Sequence, residues 1–150
     1  MKYTFTTLVF LFIANLGFCQ TANISGVINA YTTYSGHSND TVNVGSTSGF
    51  SAGDKVLIIQ MQGATINQSN GSSFGTVTNL NNAGNYEYTS ICEVLSNQIV
   101  VTGVERSYTT SGKVQVIRVP EYVNAVVTGS LSATPWNGKR GGSKILHSKS

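Results

Sequence analysis

The stretch that decides the fold is "GFSAGDKVLIIQMQGATI", Gly49 to Ile66. A phosphate-binding loop would need two glycines separated by four residues, then Lys and Ser/Thr ahead of a helix. Here only three residues separate Gly49 from Gly53, and Asp54 comes before Lys55, where its charge would repel a phosphate. The run that follows favours a strand and carries no helix cap. The stretch is therefore predicted to be a Gly-Asp turn that leads into a β-strand.

Apolar side chains occupy both faces of the segment after this turn. "VLIIQM", Val56 to Met61, begins with four consecutive aliphatic residues. A strand that is apolar on both faces is typical of the covered centre of a sheet. Phe50, just before the turn, is predicted to fold onto the same core. We therefore expect this segment to be a central strand, sealed from water on both sides.

Period-two patterns recur along the chain, and no segment after residue 19 shows a helical stripe. Gly, Ser, Thr and Asn are abundant, and they disfavour helices because they cost backbone entropy or offer the backbone competing hydrogen bonds. "KVQV", Lys113 to Val116, alternates before its phase slips, which a bulge or burial on both faces would explain. Pro120 then interrupts the pattern. We predict an all-β domain, a small barrel or two-sheet sandwich of roughly six to eight short strands.

A β-hairpin is predicted in the middle of the chain. "YEYTSICEVL", residues 86–95, is followed by a Ser-Asn dipeptide and then by "QIVV". Two such runs joined by a tight turn are typical of a hairpin. Alternation places Cys92 on the face of Tyr88, which we expect to be the core face. Without the other cysteine, Cys19, no internal disulfide can form, and Cys92 is predicted to be a small buried hydrophobe.

The N-terminal residues 1–19 have the layout of a secretory signal peptide. A lysine at position 2 precedes an apolar stretch from Leu8 to Phe18, followed by a polar sequence. This stretch is shorter than the roughly 20 residues that span a bilayer, so no transmembrane span is expected after cleavage. Residues 20–138 are predicted to form one β-rich domain, and residues 139–150 a basic, disordered tail. The signal predicts a secreted or cell-surface location.

The basic pI of about 9.0 comes from the tail. Residues 20–138 contain four basic and six acidic residues, whereas residues 139–150 contain four basic residues and no acid. Nucleic-acid binding needs basic residues distributed over a folded face. The sequence therefore predicts that nucleic acid is not a partner.

Catalytic and metal-binding patterns are not indicated. His37 and His147 do not have a metal-ligand spacing. Glu87 and Glu93 share a predicted strand face, but six residues along a strand separate them by about 20 Å. That is too far for the paired acids of a glycoside hydrolase, although pairing with an acid on another strand stays open. We predict no catalytic residue, no cofactor, no metal and no enzymatic activity.

Aromatic residues and one long loop are the candidates for ligand contact. Tyr31, Tyr34 and Trp136 could stack on sugar rings if they formed a flat, exposed row, and packing within the sheet is the alternative. The polar connection from Gln62 to Asn85 is longer than most loops. It is a second candidate, because loops on a rigid scaffold carry binding more often than the scaffold does.

Three motifs in order resemble the N-terminal region of large secreted surface proteins of Bacteroidetes, of the kind exported by the type IX, gliding-associated route. They are "GFSAGDKVLIIQMQGATI", "FGTVTNLNNAGNYEYTSICEV" and "GKVQVIRVPEYVNAVVTGSLSATPWNG", and the resemblance spans about Asp40 to Gly138. It implies β-rich sequence that continues into a solenoid, so that this domain would be the N-terminal cap of a β-solenoid. After Gly138 the segment "KRGGSKILHSKS" departs from the pattern, which predicts a truncated copy.

The leading functional hypothesis is a non-catalytic structural or adhesive module of an exported cell-surface protein. The first alternative is a carbohydrate-binding module that uses the three aromatic residues. The second is the N-terminal cap of a β-helix enzyme that degrades polysaccharides. The expected partners are surface polysaccharide or other cell-surface proteins.

Overall fold

The computed structural model describes residues 21–149, so the predicted signal peptide, residues 1–19, lies outside the described part of the chain. The described residues form twelve strands and one short 3-10 turn, Thr110–Gly112. The strands are β1 Ala22–Val27, β2 Tyr31–Ser38, β3 Thr41–Val44, β4 Lys55–Gln60, β5 Thr65–Ile66, β6 Val77–Asn79, β7 Tyr86–Leu95, β8 Gln98–Val101, β9 Val114–Val119, β10 Glu121–Tyr122, β11 Ala125–Ser132 and β12 His147–Ser148. The all-β prediction is confirmed.

Six of these strands close into an antiparallel barrel with the order β2-β3-β8-β7-β4-β9. The closure is made by β9, which pairs with β4 on one side and with β2 on the other. Closure removes the exposed sheet edges that a sandwich would retain. Of the two architectures compatible with the sequence, the structure is therefore the barrel.

The strand β4 is covered on both faces, as the sequence predicts, but it ends at Gln60, and Met61, predicted to be its last sealed residue, is 40% exposed. Val56 and Ile58 point into the barrel core, whereas Leu57 packs with Ile117 and Val119 in a second cluster outside it. The preceding turn also forms as predicted. Gly53 has a φ of 89°, and the Asp54 carboxylate accepts the Ser51 N–H at 2.7 Å. The turn and the strand are thus both explained by local sequence.

The prediction for Cys92 is wrong. The hairpin β7–β8 forms, but its register shifts between Ile91 and Glu93. Before this bulge the core side chains are Thr89 and Ile91, and Cys92 itself is exposed. A bulge inserts one unpaired residue, so side chains on its two sides no longer keep a single alternation between the two faces of the strand. Simple alternation along the strand therefore assigned the wrong face to residues 86–92.

The phase slip in β9 arises from burial on both faces. Val114, Val116, Ile117 and Val119 are all buried, and the pairing of β9 with β4 runs without a register shift. Of the two explanations open from the sequence, a bulge and two-sided burial, the second is correct. Strand β9 ends at Val119, and Pro120 follows it.

Residues 139–149, most of the segment predicted to be a disordered tail, make long-range hydrogen bonds to the rest of the chain and are here called the C-terminal strap. The Gln115 side chain bonds both the N–H and the carbonyl of Gly141, at 2.8 and 3.3 Å. Asn29 does the same for Ile145, at 3.1 and 2.6 Å. Ile145 also covers the outer apolar cluster around Leu57. Apolar burial and amide hydrogen bonds together hold a segment that composition alone marks as disordered.

Three two-stranded sheets stand outside the barrel; one pairs β10 with β12, and the other two expose apolar side chains. Strands β5 and β6 form an antiparallel hairpin within residues 63–80, here called the arm. Strands β1 and β11 form a two-stranded parallel ribbon, in which Val27, Val126 and Val127 are exposed. The arm and the ribbon both leave apolar side chains in contact with water.

Candidate functional site

The barrel interior is occupied by packed side chains. Its core cluster contains Tyr34, Val42, Val44, Phe50, Val56, Ile58, Ile91, Ile99, Val101, Val114 and Val116. Small barrels are commonly filled in this way. The space for a ligand therefore lies on the outer surface and along the segments that leave the barrel.

Tyr34 does not lie on the surface, as a sugar-stacking role would require. Its side chain is only 6% exposed and packs edge-on against Tyr108, with ring centroids 5.6 Å apart. Its hydroxyl lies 2.6 Å from His37 Nδ1. Burial is also the main cause that raises the pKa of the Tyr34 hydroxyl. The tyrosine is thus a core residue with a satisfied hydroxyl.

Tyr31 and Trp136 lie outside the barrel core, and they have different surroundings. The Tyr31 ring is half-buried against the outer apolar cluster, and its hydroxyl donates to the Ser143 carbonyl of the strap. Burial raises the pKa of this hydroxyl. Trp136 is 38% exposed. A flat row of three exposed aromatics is therefore not formed, because Tyr34 is buried and the strap covers part of Tyr31.

Two cavities flank β2. One, of about 240 Å³, is lined by Thr33, Tyr34, Thr110, Lys113, Val114 and Lys139. The other, of about 270 Å³, is lined by Asn29, Ala30, Tyr31, Ser46, Ser48, Thr134 and Arg140. Neither lining contains an acidic residue, and each contains at least one cation. Sequence reasoning missed both cavities because their residues are brought together only by barrel closure.

A turn at the start of the strap contains Lys139 and Arg140, which line one cavity each. The Asn137 side-chain oxygen accepts the N–H groups of Lys139 and Arg140 at 3.1 and 3.0 Å. The Arg140 guanidinium in turn donates to the Tyr31 carbonyl at 3.0 Å. Lys139 lines the first cavity, and Arg140, the next residue, lines the second.

A third cavity brings two acids together, Glu87 and Glu105, in about 210 Å³. The Glu87 carboxylate already accepts the N–H groups of Glu105 and Arg106, at 2.8 and 3.3 Å, and the Tyr108 hydroxyl at 2.9 Å. Burial, followed by the bond to Glu87, raises the pKa of Tyr108 far above its ordinary value. The Glu87 carboxylate thus holds residues 105–108 against β7 through these three hydrogen bonds.

The barrel end near β10 carries a mixed-charge cluster. Lys55 Nζ lies 2.6 Å from Glu121 Oε1, and His147 Nδ1 lies 3.1 Å from the same oxygen. The hydrogen bond from Lys55 lowers the pKa of the Glu121 carboxyl, and electrostatic interactions with Lys55, His147 and Lys149 act in the same direction. This cluster joins the barrel to the end of the strap, where β12 pairs with β10.

The attachment of the strap end is expected to weaken in acid. The pKa of Glu121 is lower in the folded chain than its ordinary value of 4.5, so its stabilisation is complete above that pH and is lost as the pH falls through the folded value. Amide exchange protection of His147 and Lys149, whose N–H groups bond Pro120 and Tyr122, should fall over this range. In the Glu121→Gln variant, this loss of exchange protection at low pH should be absent. If the variant lost protection in acid just as the unmodified protein does, a group other than Glu121 would be responsible.

The arm exposes large apolar side chains on a defined scaffold. Phe74 is 66% exposed and Leu80 is 62% exposed, and Ile66 and Val77 accompany them. The two strands of the arm are joined by a contact of 3.0 Å between the Thr65 and Thr78 hydroxyls. Large exposed apolar patches on soluble proteins commonly mark interaction sites. The long connection that the sequence marks as polar thus also presents four exposed apolar side chains.

A buried glutamine anchors the base of the arm. Gln60 is 1% exposed, and its amide nitrogen donates to the carbonyls of Gln62 and Asn81, both at 2.8 Å. Its oxygen accepts the Thr109 N–H at 2.7 Å. A Cβ added to Gly112 would lie 2.2 Å from that nitrogen. The only signal in the sequence is a polar residue at the end of an aliphatic run.

Two features are absent from residues 21–149, a cluster of metal ligands and a membrane-spanning helix. In this range no group of three or more His, Cys, Asp or Glu side chains is placed to hold a metal ion. The same residues contain no helix whose length and apolar character would let it cross a membrane.

No protein-family model matches the chain, and no curated protein is significantly similar to it. Among solved structures, the chain is similar to the Gp54 tailspike of Acinetobacter baumannii bacteriophage AP22, determined in complex with A. baumannii capsular saccharide, with 15% identity and a TM-score of 0.43. The likeness covers 69% of this chain and 17% of the tailspike chain, so the chain spans less than a fifth of that structure's length. A likeness of this size does not assign a function.

Proposed function

We propose that the protein is a non-catalytic adhesive or structural module of an exported cell-surface protein, and that the arm makes its main contacts. The observation that carries the proposal is the exposure of Phe74 and Leu80 on a hairpin fixed to the barrel by Gln60. A rigidly presented apolar group loses little conformational freedom on binding, which favours affinity. The proposed partners are surface polysaccharide or other cell-surface proteins.

Export rests on the signal-like residues 1–19, and the surface location is part of the same proposal. The low content of charged residues, 10% of the chain, and the many side-chain hydroxyls and amides suit contacts with sugar hydroxyls, which both donate and accept. The resemblance to secreted Bacteroidetes surface proteins supports the same class of role.

A retention assay tests this function. Beads that carry the full protein would be passed over surfaces coated with a neutral polysaccharide (dextran), an acidic one (alginate), or albumin. We expect retention on at least one coated surface, and a fall of about tenfold or more for the double variant Phe74→Ser/Leu80→Ser. The matched control is Val123→Ser/Val126→Ser, which removes exposed apolar groups elsewhere and should leave retention unchanged. Equal retention of both variants would contradict the role of the arm.

A second candidate is the N-terminal cap of a β-helix enzyme that degrades polysaccharides. The parallel ribbon of β1 and β11 favours it, because parallel strands are the repeating unit of a β-helix. The assay separates the candidates: release of new reducing ends from dextran or alginate during incubation would support the enzyme and contradict the non-catalytic module.

A further inference from the structure

We propose that the cavity lined by Lys113 and Lys139 binds the carboxylate of an acidic sugar. The inference rests on the polysaccharide partner proposed above and adds the charge of the sugar and the residues that recognise it. The cavity holds about 240 Å³.

The lining combines the groups that a sugar acid needs. Tyr34 and Val114 back the cavity but are almost fully buried, and its accessible lining is mainly polar. The hydroxyls of Thr33 and Thr110 can donate to or accept from ring hydroxyls. The two ammonium groups supply the charge. Hydroxyls and cations together match a ring that carries both hydroxyls and a carboxylate.

The two lysines lack a counter-charge of their own. Among residues 21–149, the ion pairs found are those of Glu121 with Lys55 and with His147. No acid lines the cavity, and neither lysine ammonium bonds a described side chain. A bound carboxylate would form charge-assisted hydrogen bonds, which are about twice as strong as neutral ones. The cavity is therefore electrostatically suited to an anion.

The backbone at Lys113 supports a role for its side chain. Lys113 has a φ of 55°, and the other non-glycine residues with positive φ in the described chain are all asparagines: Asn39, Asn81, Asn82 and Asn97. Asparagine tolerates this conformation, whereas lysine is strained in it. Hydrogen bonds from Met61 and Gln62 to the carbonyls of Lys113 and Gly112 hold the strained segment in place. A lysine is thus held where asparagine would fit with less strain.

Sodium glucuronate is the probe, titrated into the full protein and followed by NMR shifts and calorimetry. We expect glucuronate to bind and glucose not to bind, with weaker binding as salt rises from about 0.05 to 0.5 M, because salt screens exposed charges. Lys113→Asn should weaken glucuronate binding at least about tenfold. Its Tm should stay equal or rise, since the substitution relieves the strain. Loss of binding with a retained Tm cannot be attributed to unfolding.

The matched control is Lys149→Asn, which removes the same charge outside the cavity and should bind glucuronate like the unmodified protein. Equal weakening in both variants, or full binding by Lys113→Asn, would overturn the site. Inorganic sulfate and phosphate distinguish a sugar acid from a free anion, and binding of either as tight as glucuronate would overturn the sugar assignment. If glucuronate fails while beads are still retained through the arm, only this inference falls. If retention fails while Lys113-dependent binding persists, the proposed function of the arm falls instead.

Discussion

Replacement of Ile58 by alanine is expected to lower the free energy of unfolding by about 4 kcal/mol. Ile58 is fully buried, with 0% exposure, in the centre of the barrel cluster. Its neighbours belong to strands that are paired on both sides, so they cannot move inward to fill the cavity left behind. Domain stabilities are typically about 5–15 kcal/mol, so this single change should remove a large share of the total. Urea unfolding, followed by tyrosine fluorescence, measures it.

The matched control is Ile66→Ala, the same chemical change on the arm, where the side chain is 46% exposed. We expect it to change the free energy of unfolding by no more than about 0.5 kcal/mol. If the two variants lost similar stability, Ile58 would not be packed in a rigid core, and the assignment of the barrel interior would be wrong.

The second large effect is expected at Gln60. Replacement by alanine leaves the Thr109 N–H and the carbonyls of Gln62 and Asn81 without their partner. Each unsatisfied buried group costs about 1–3 kcal/mol. Because water can reach some of these groups, we expect a loss of about 3 kcal/mol in the free energy of unfolding. The arm should also lose protection from amide exchange.

The neighbouring glutamine provides the control for this prediction. Gln62 is exposed, and Gln62→Ala should leave both the stability and the exchange of the arm unchanged. A stable Gln60→Ala variant that also kept a protected arm would contradict the anchoring role of the buried amide. The comparison separates the amide's hydrogen bonds from the general effect of shortening a glutamine.

Local features of the sequence predict the centre of the fold well. The strand at Val56, the turn at Asp54 and the burial of Phe50 all follow from patterns within a few residues, and the structure confirms them. The face of Cys92 was predicted wrongly, because the bulge depends on how β7 pairs with β8. A pairing register is not visible in one strand alone.

The candidate site was predicted less well, and the reason is again physical. Tyr31 and Tyr34 are three residues apart on β2, so strand alternation places them on opposite faces, Tyr34 towards the barrel core and Tyr31 towards the outer cluster, and a single flat row of both was never compatible with one strand. Lys113 and Lys139 meet in a cavity because barrel closure and the strap bring distant segments together. The strap itself depends on Asn29 and Gln115, whose long-range hydrogen bonds leave no periodic signal.

The closure of the barrel also governs the order in which the chain can fold. Strand β2 completes the ring only when it meets β9, and β1 has no partner until β11 is present. Pairings between such distant positions have a high contact order and form slowly. A nascent chain can therefore form local hairpins such as β2–β3 and β7–β8 early, but it cannot close the ring until β9 has been added.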